Sequence, residues 1–143
     1  NKAVRRYARR LEHLRDCPSI IQYHHSETIR FRGNTITCLL SEFVDGQILD
    51  HFINAHPGAR LHPTEALHLL HALVVATECV HDAREYHGDL HEGNVLVSRR
   101  GIHFDVHLVD YYPLGCTTRA AQREDIVDLV KLFHLMIGGP KHY

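Results

Sequence analysis

The sequence predicts an α+β fold, with helices and strands segregated along the chain. Two observations carry this. Apolar residues recur at helical spacing over 3–16, 63–84 and 123–136. Runs of β-branched and apolar residues gather instead at 20–40 and 95–109, broken by turn chemistry. The predicted order is helix, hairpin, short helix, long helix, β-rich segment, helix.

The first helix covers residues 3–16. Ala3, Tyr7 and Leu11 share a face at four-residue spacing, and Leu11 and Leu14 are three apart. Arg5, Arg6, Arg9, Arg10 and Arg15 fall on the other faces, which read as solvated, and Pro18 ends the helix. Residues 20–23 and 35–40 are strand-like, and 28–31 alternate between them. Arg32-Gly33-Asn34 supplies a turn, so an antiparallel hairpin is the economical reading. Asp45-Gly46 closes this part. A short helix over 49–55 stops near Pro57-Gly58.

A long helix starts at Pro63, with Pro63 and Glu65 in its first turn, and ends near 81–84. Ala66, Leu67, Leu70, Leu73, Val74, Thr77 and Val80 form an apolar stripe broad enough to predict burial over most of its girth. Short β runs follow at 95–97, 103–104 and 106–109, with 98–101 as the turn between the first two. The last helix, over 123–136, turns Ile126, Val127, Leu129, Val130, Leu132, Phe133 and Met136 inward, and Gly138-Gly139-Pro140 terminates it.

The chain has 143 residues, the size of about one domain. Sixteen Lys and Arg against 17 Asp and Glu give a net charge of -1, which argues against electrostatic binding of nucleic acid. An apolar fraction of 44% excludes a disordered chain. No apolar run approaches ~18 residues, so no membrane span is expected. Residues 1–6 are charged with no apolar core behind them, unlike a secretory signal. With no initiator Met, the chain reads as part of a longer one. Cys17, Cys38, Cys79 and Cys116 form no CxxC pair. They are expected to be reduced and structural, which points to a cytoplasmic setting.

The densest polar cluster directly follows the long helix: His87-Gly88-Asp89-Leu90-His91-Glu92-Gly93-Asn94, then the apolar Val95-Leu96-Val97. Charged residues wedged between a buried helix and a buried strand need a reason. Sixteen residues beyond Asn94, Leu108-Val109 leads into Asp110. One chemistry accounts for all of them. A carboxylate in a tight loop, Asp89, can take a proton from an attacking hydroxyl. The amide oxygen of Asn94 and the carboxylate of Asp110 suit Mg²⁺, which takes one or two protein ligands and fills its shell with water and phosphate. Such an ion neutralises a phosphoryl group in transfer. His87 and His91, four apart, do not make a zinc pair, because Gly88 and Gly93 oppose a helix there and no HExxH is present.

At these residues the sequence resembles the protein-kinase-like superfamily, whose catalytic loop reads H-x-D-L-x-x-x-N. The matches are His87, Asp89, Leu90 and Asn94. With Gly88 in place of the usual Arg, the loop looks most like the aminoglycoside and choline phosphotransferase branch. The resemblance implies a protein-kinase-like fold: a partial N-lobe over 1–44, with an αC-like helix, a β-hairpin and a hinge, then a partial, mostly helical C-lobe over 45–143. It implies Asp89 as catalytic base, Asn94 and Asp110 as Mg²⁺ ligands, and His87 and Asp125 as structural supports. Residues 39–46 resemble the strand and hinge between the lobes. There the backbone of Glu42 and Val44 would meet the adenine of ATP, Ser41 would act as gatekeeper, and Leu96 would floor the pocket.

The function implied is transfer of the ATP γ-phosphate to an acceptor hydroxyl on a small molecule or a protein. Three departures bear on it. No Gly-rich loop or phosphate-anchoring Lys is found, and the αC acid position falls near Tyr7 or Ala8, with Glu12 a weak substitute. The DFG position reads Asp110-Tyr111-Tyr112. Only 14 residues separate Asp110 from Asp125, too few for a long activation segment, which favours a small-molecule kinase or an unregulated atypical one. The alternative is a pseudokinase-like module that binds nucleotide or serves as a scaffold without catalysis.

Overall fold

Helix α1 (Lys2–His13) opens the chain. It precedes an antiparallel hairpin of β1 (Tyr23–Phe31) and β2 (Asn34–Ser41). A computed structural model of the chain describes residues 2–111 and 116–138. Tyr112, Pro113, Gly139 and Pro140, and the side chains of Ala3 and Arg5, lie outside what it describes.

The hairpin reaches further back than residues 28–40. Ile20 stays outside it and forms an isolated parallel bridge with Leu108. The two-residue loop Arg32-Gly33 has positive φ at both positions, 49° and 80°, the signature of a type I′ turn. After β2, strand β3 (Gln47–Ile48) runs directly into α2 (Leu49–Asn54). Helix α3 (Pro63–Asp82) starts with His62 as N-cap, its side chain accepting a bond from the Thr64 N–H at 3.3 Å.

Strands β4 (Val95–Arg100) and β5 (His103–Leu108) form a second hairpin. The turn is not 98–101 as expected. Ser98, Arg99 and Arg100 lie within β4, and Gly101, with φ 66°, opens a two-residue loop. Glycine in the left-handed region sets the turn, and the polar residues before it simply continue the strand. β3 pairs with β4, giving a three-stranded antiparallel sheet in the order β3-β4-β5. Helix α4 (Thr118–Gly138) begins five residues earlier than expected and packs against α3. The fold is therefore α+β, with antiparallel sheets and helices in separate stretches.

One apolar core joins α1, α2, α3, α4 and the β4–β5 hairpin. Leu14, Ile20, Leu49, Leu73, Val80, Val95, Leu108 and Met136 are fully buried in it. Each such side chain contributes about 1.5–3 kcal/mol. The expectation that α3 is buried on most of its girth fails. Its buried row is Ala66, Leu69, Leu73, Ala76, Thr77 and Val80, facing β5 and α4, while Leu67, Val74 and Val75 are exposed. Likewise Ile126, Val127 and Val130 on α4 are exposed, while Leu129, Leu132, Leu135 and Met136 are buried. Apolar periodicity marks every face able to be buried; neighbours decide which one is.

The cysteine expectation is also corrected. Cys17 and Cys79 form a disulfide with Cα atoms 5.8 Å apart, across a sequence separation of 62. The turn after α1 and the last turn of α3 meet only in the folded chain, so spacing along the sequence could not show the pair. The bond removes the argument from reduced cysteines to a cytoplasmic setting. Cys38 and Cys116 are free. No helix among the described residues is long and apolar enough to cross a membrane.

Candidate functional site

The loop from His87 to Asn94 links the end of α3 to β4, and a buried acid on α4 fixes its start. Asp125 is fully buried. It accepts bonds from the backbone N–H groups of His87 and Gly88, both at 2.8 Å, and lies 2.9 Å from His81 Nε2. A buried carboxylate is tolerated where its oxygens are satisfied in this way. Gly88 has φ 84°, the left-handed region where a side chain is strained, which explains a glycine at this position.

His87 is the second anchor. Its Nε2 lies 2.8 Å from the Val109 carbonyl, and its Nδ1 lies 3.3 Å from the Asp89 backbone N–H. A carbonyl only accepts and an amide N–H only donates, so the neutral ring carries its proton on Nε2. Tyr111 packs against this ring, centroids 4.6 Å apart. Burial, opposed by the Val109 bond and the charge of Asp125, lowers the His87 pKa below 6.5.

A stability prediction follows from that shift. Below pH 6.5 the unfolded chain takes up a proton on this ring more readily than the folded chain does, so stability falls as the pH drops through that window. Urea midpoints at pH 7.5 and 5.5 should differ less in His87→Gln than in the parent chain. Equal differences would remove His87 from the acid response.

The loop is tied to the end of β5 through Val109. The Val109 N–H donates to the Asn94 carbonyl at 3.0 Å, while its own carbonyl receives the His87 bond. Asp110 follows directly, exposed and with φ 58°, a strained conformation for a non-glycine residue. Asn94 is buried, and its Nδ2 donates to the Asp89 carbonyl at 2.9 Å and lies 3.4 Å from Asp89 Oδ2. That leaves Oδ1 as the amide atom able to meet a cation. The Asp89 carboxylate is 54% exposed. It borders a cleft of about 180 Å³ lined also by Leu90, His91, Glu92, Asp128, Lys131, Leu132 and Leu135.

The fold thus brings Asp89, Asn94, Asp110, His87 and Asp125 together. The residues expected at a hinge form a separate group. Ser41 pairs with Tyr23 at the base of the first hairpin and is exposed. The Glu42 backbone N–H donates to the Gln22 carbonyl at 2.9 Å, and its carboxylate accepts from the Gln22 N–H at 2.8 Å. Val44 is half-buried, and at Gly46 a Cβ would lie 3.2 Å from the Val97 carbonyl, so the chain runs close over β4 here. Half-buried Leu96 pairs with Ile48 just beyond this segment. No hydrogen bond or ion pair among the described residues joins this group to Asp89, Asn94 or Asp110.

Two residues of α1 also reach the site: Arg10, expected on a solvated face, and Tyr7, expected on the apolar one. Arg10 is half-buried, not solvated. It bonds Glu85 at 3.1 Å and the Tyr86 carbonyl, and its guanidinium lies 4.6 Å over the Tyr86 ring and 5.6 Å from the centre of the Tyr111 ring. Tyr7 meets the Asp110–Tyr111 backbone, and burial followed by the Asp110 charge pushes its phenol pKa up. Burial also raises the Tyr111 pKa, and the Tyr111 hydroxyl is buried with no hydrogen-bond partner among the described residues. The spacing of Tyr7, Arg10 and Leu14, three then four apart, is the signal that could have placed Arg10 on the inner face.

Among the described residues no three His, Cys, Asp or Glu side chains converge to hold a metal ion. The hard oxygens of Asn94 and Asp110 still fit an ion that draws most of its shell from water and phosphate. No family model and no curated protein matches this chain.

Proposed function

We propose that the chain is part of a protein-kinase-like, ATP-dependent phosphotransferase that moves the γ-phosphate to an acceptor hydroxyl. The observation that carries this reading is the clamping of loop 87–94 onto Val109. It sets an exposed Asp89 carboxylate beside a buried Asn94, with Asp110, held in a strained conformation, next in the chain to Val109.

The residues divide the work. Asp125 and His87 hold the loop. Asp89 takes the proton of the acceptor hydroxyl as its oxygen bonds to the γ-phosphorus and ADP departs with the bridging oxygen. Asn94 and Asp110 would hold Mg²⁺, which supplies neutralisation of phosphate charge when bound. Adenine would lie against the Glu42 and Val44 backbone over Leu96, with Ser41 behind it. The acceptor is a small molecule or a protein Ser/Thr hydroxyl. The lobes of this reading are 1–44 and 45–143.

The α1 contact favours a second reading, a nucleotide-binding or scaffolding pseudokinase. A phenol, Tyr7, rather than a carboxylate meets the Asp110 segment. Titrating the chain with ATP, with and without Mg²⁺, tests both. The first reading expects Mg²⁺ to strengthen binding roughly tenfold or more, and Asp110→Ala to abolish that gain. Binding that ignores both Mg²⁺ and Asp110 would overturn the metal site. Mg²⁺-dependent binding without turnover supports the second reading.

A further inference from the structure

We propose that His91 is a positioning residue for the Asp89 carboxylate, and that position 93 is a glycine to make room for the His91 ring. The inference rests on the phosphotransferase reading above. The Gly93 N–H donates to His91 Nδ1 at 3.0 Å. A backbone N–H only donates, so Nδ1 offers its lone pair and the neutral ring carries its proton on Nε2. That Nε2 lies 3.8 Å from Asp89 Oδ2, the same oxygen that the Asn94 Nδ2 approaches at 3.4 Å. Both nitrogens therefore lie on the Oδ2 side of the carboxylate, and Oδ1 is the oxygen left to receive the acceptor's proton. At 3.8 Å the His91 contact orients the carboxylate electrostatically, and catalytic contacts of this kind tighten once substrate is bound.

Gly93 supplies the independent observation. Its φ lies outside the left-handed region, so the backbone itself would accept a side chain. The obstacle is the imidazole: a Cβ at position 93 would lie 2.8 Å from His91 Cε1 and 3.1 Å from Nδ1. Any larger residue there must push the ring out of place. The two residues form one device, with the Gly93 N–H setting the His91 tautomer and the missing Gly93 side chain setting its position.

MgATP with water as acceptor is a sufficient probe. The water oxygen bonds to the γ-phosphorus, the bond to the β–γ bridging oxygen breaks, ADP leaves, and the water proton passes to Asp89 Oδ1. His91→Ala should lower kcat roughly tenfold, the loss of one oriented partner, with KM for MgATP changed less than about twofold. His91→Gln, which retains a side-chain N–H, should recover most of that loss. Gly93→Ala should cost a similar factor in the parent chain and nothing further in His91→Ala, where no ring remains to be displaced.

Parent-level kcat in His91→Ala, or a Gly93→Ala loss that persists without His91, would overturn the inference and leave the phosphotransferase reading standing. A full-length protein that does not turn over MgATP, or an Asp89→Asn variant of it that does so at the parent rate, would overturn that reading and the inference with it.

Discussion

Asp89→Asn should lower phosphoryl transfer from MgATP by about 10²–10⁴-fold, the usual contribution of a positioned general base. The amide is nearly the same size as the carboxylate but cannot take the acceptor's proton. The side chain is half exposed. Asn94 Nδ2 can still meet an amide oxygen once the new side chain is turned the right way. The fold therefore has little to lose: the change in stability should stay within about 0.5 kcal/mol, as for surface substitutions away from buried networks. ATP binding should be nearly intact. Initial rates of ADP release, read beside a urea melt and an ATP titration, separate these effects. Unchanged turnover in a folded, nucleotide-binding variant would sink the assignment of Asp89 as the base.

Asp125→Ala should be the most destabilising single change at the site, costing about 3–5 kcal/mol. The carboxylate is fully buried and serves the His87 and Gly88 N–H groups and the His81 ring. Removing it leaves two backbone donors unpaired, the buried one on His87 costing about 1–3 kcal/mol and the half-buried one on Gly88 less, in a domain whose whole stability is about 5–15 kcal/mol. Turnover should fall with stability, because the loop carrying Asp89 starts at those two donors. Asp125→Asn keeps one acceptor oxygen but turns an NH₂ group toward a neighbouring N–H, so it should fall between parent and Ala. Urea midpoints with unchanged slopes would measure the series. A cost below about 1 kcal/mol for Ala would mean that other bonds hold the loop.

These residues differ in how far along the chain their partners lie. Asp89 and Asn94 belong to one short loop, so their spacing alone made them candidates before any fold was known. Asp125 could be named only through the family resemblance, because its partners, His87 and Gly88, lie 38 and 37 residues away. Arg10 could not be named. Its partner Glu85 is 75 residues distant, and an Arg among several on a basic helix reads as solvated until a carboxylate and two aromatic rings are placed over it. His91 was legible as a residue but not as a role, since its tautomer depends on which atom faces Gly93.

Interactions between residues close in the chain set the elements themselves. Pro63 with its acid in the first turn, Gly33 and Gly101 at the hairpin loops, and the apolar periodicities of α1, α3 and α4 act over a few residues and are written in order. They suffice for an α+β chain with a charged loop between an apolar-striped helix and an apolar strand. Packing across long separations settled the rest: the sides of α3 and α4 left exposed, the Cys17–Cys79 bond, the inward turn of Arg10, and the convergence of Val109 on both His87 and Asn94. Each depends on which surfaces are left to cover one another once the helices and strands exist. That is a property of the assembled core, and no local window of residues contains it.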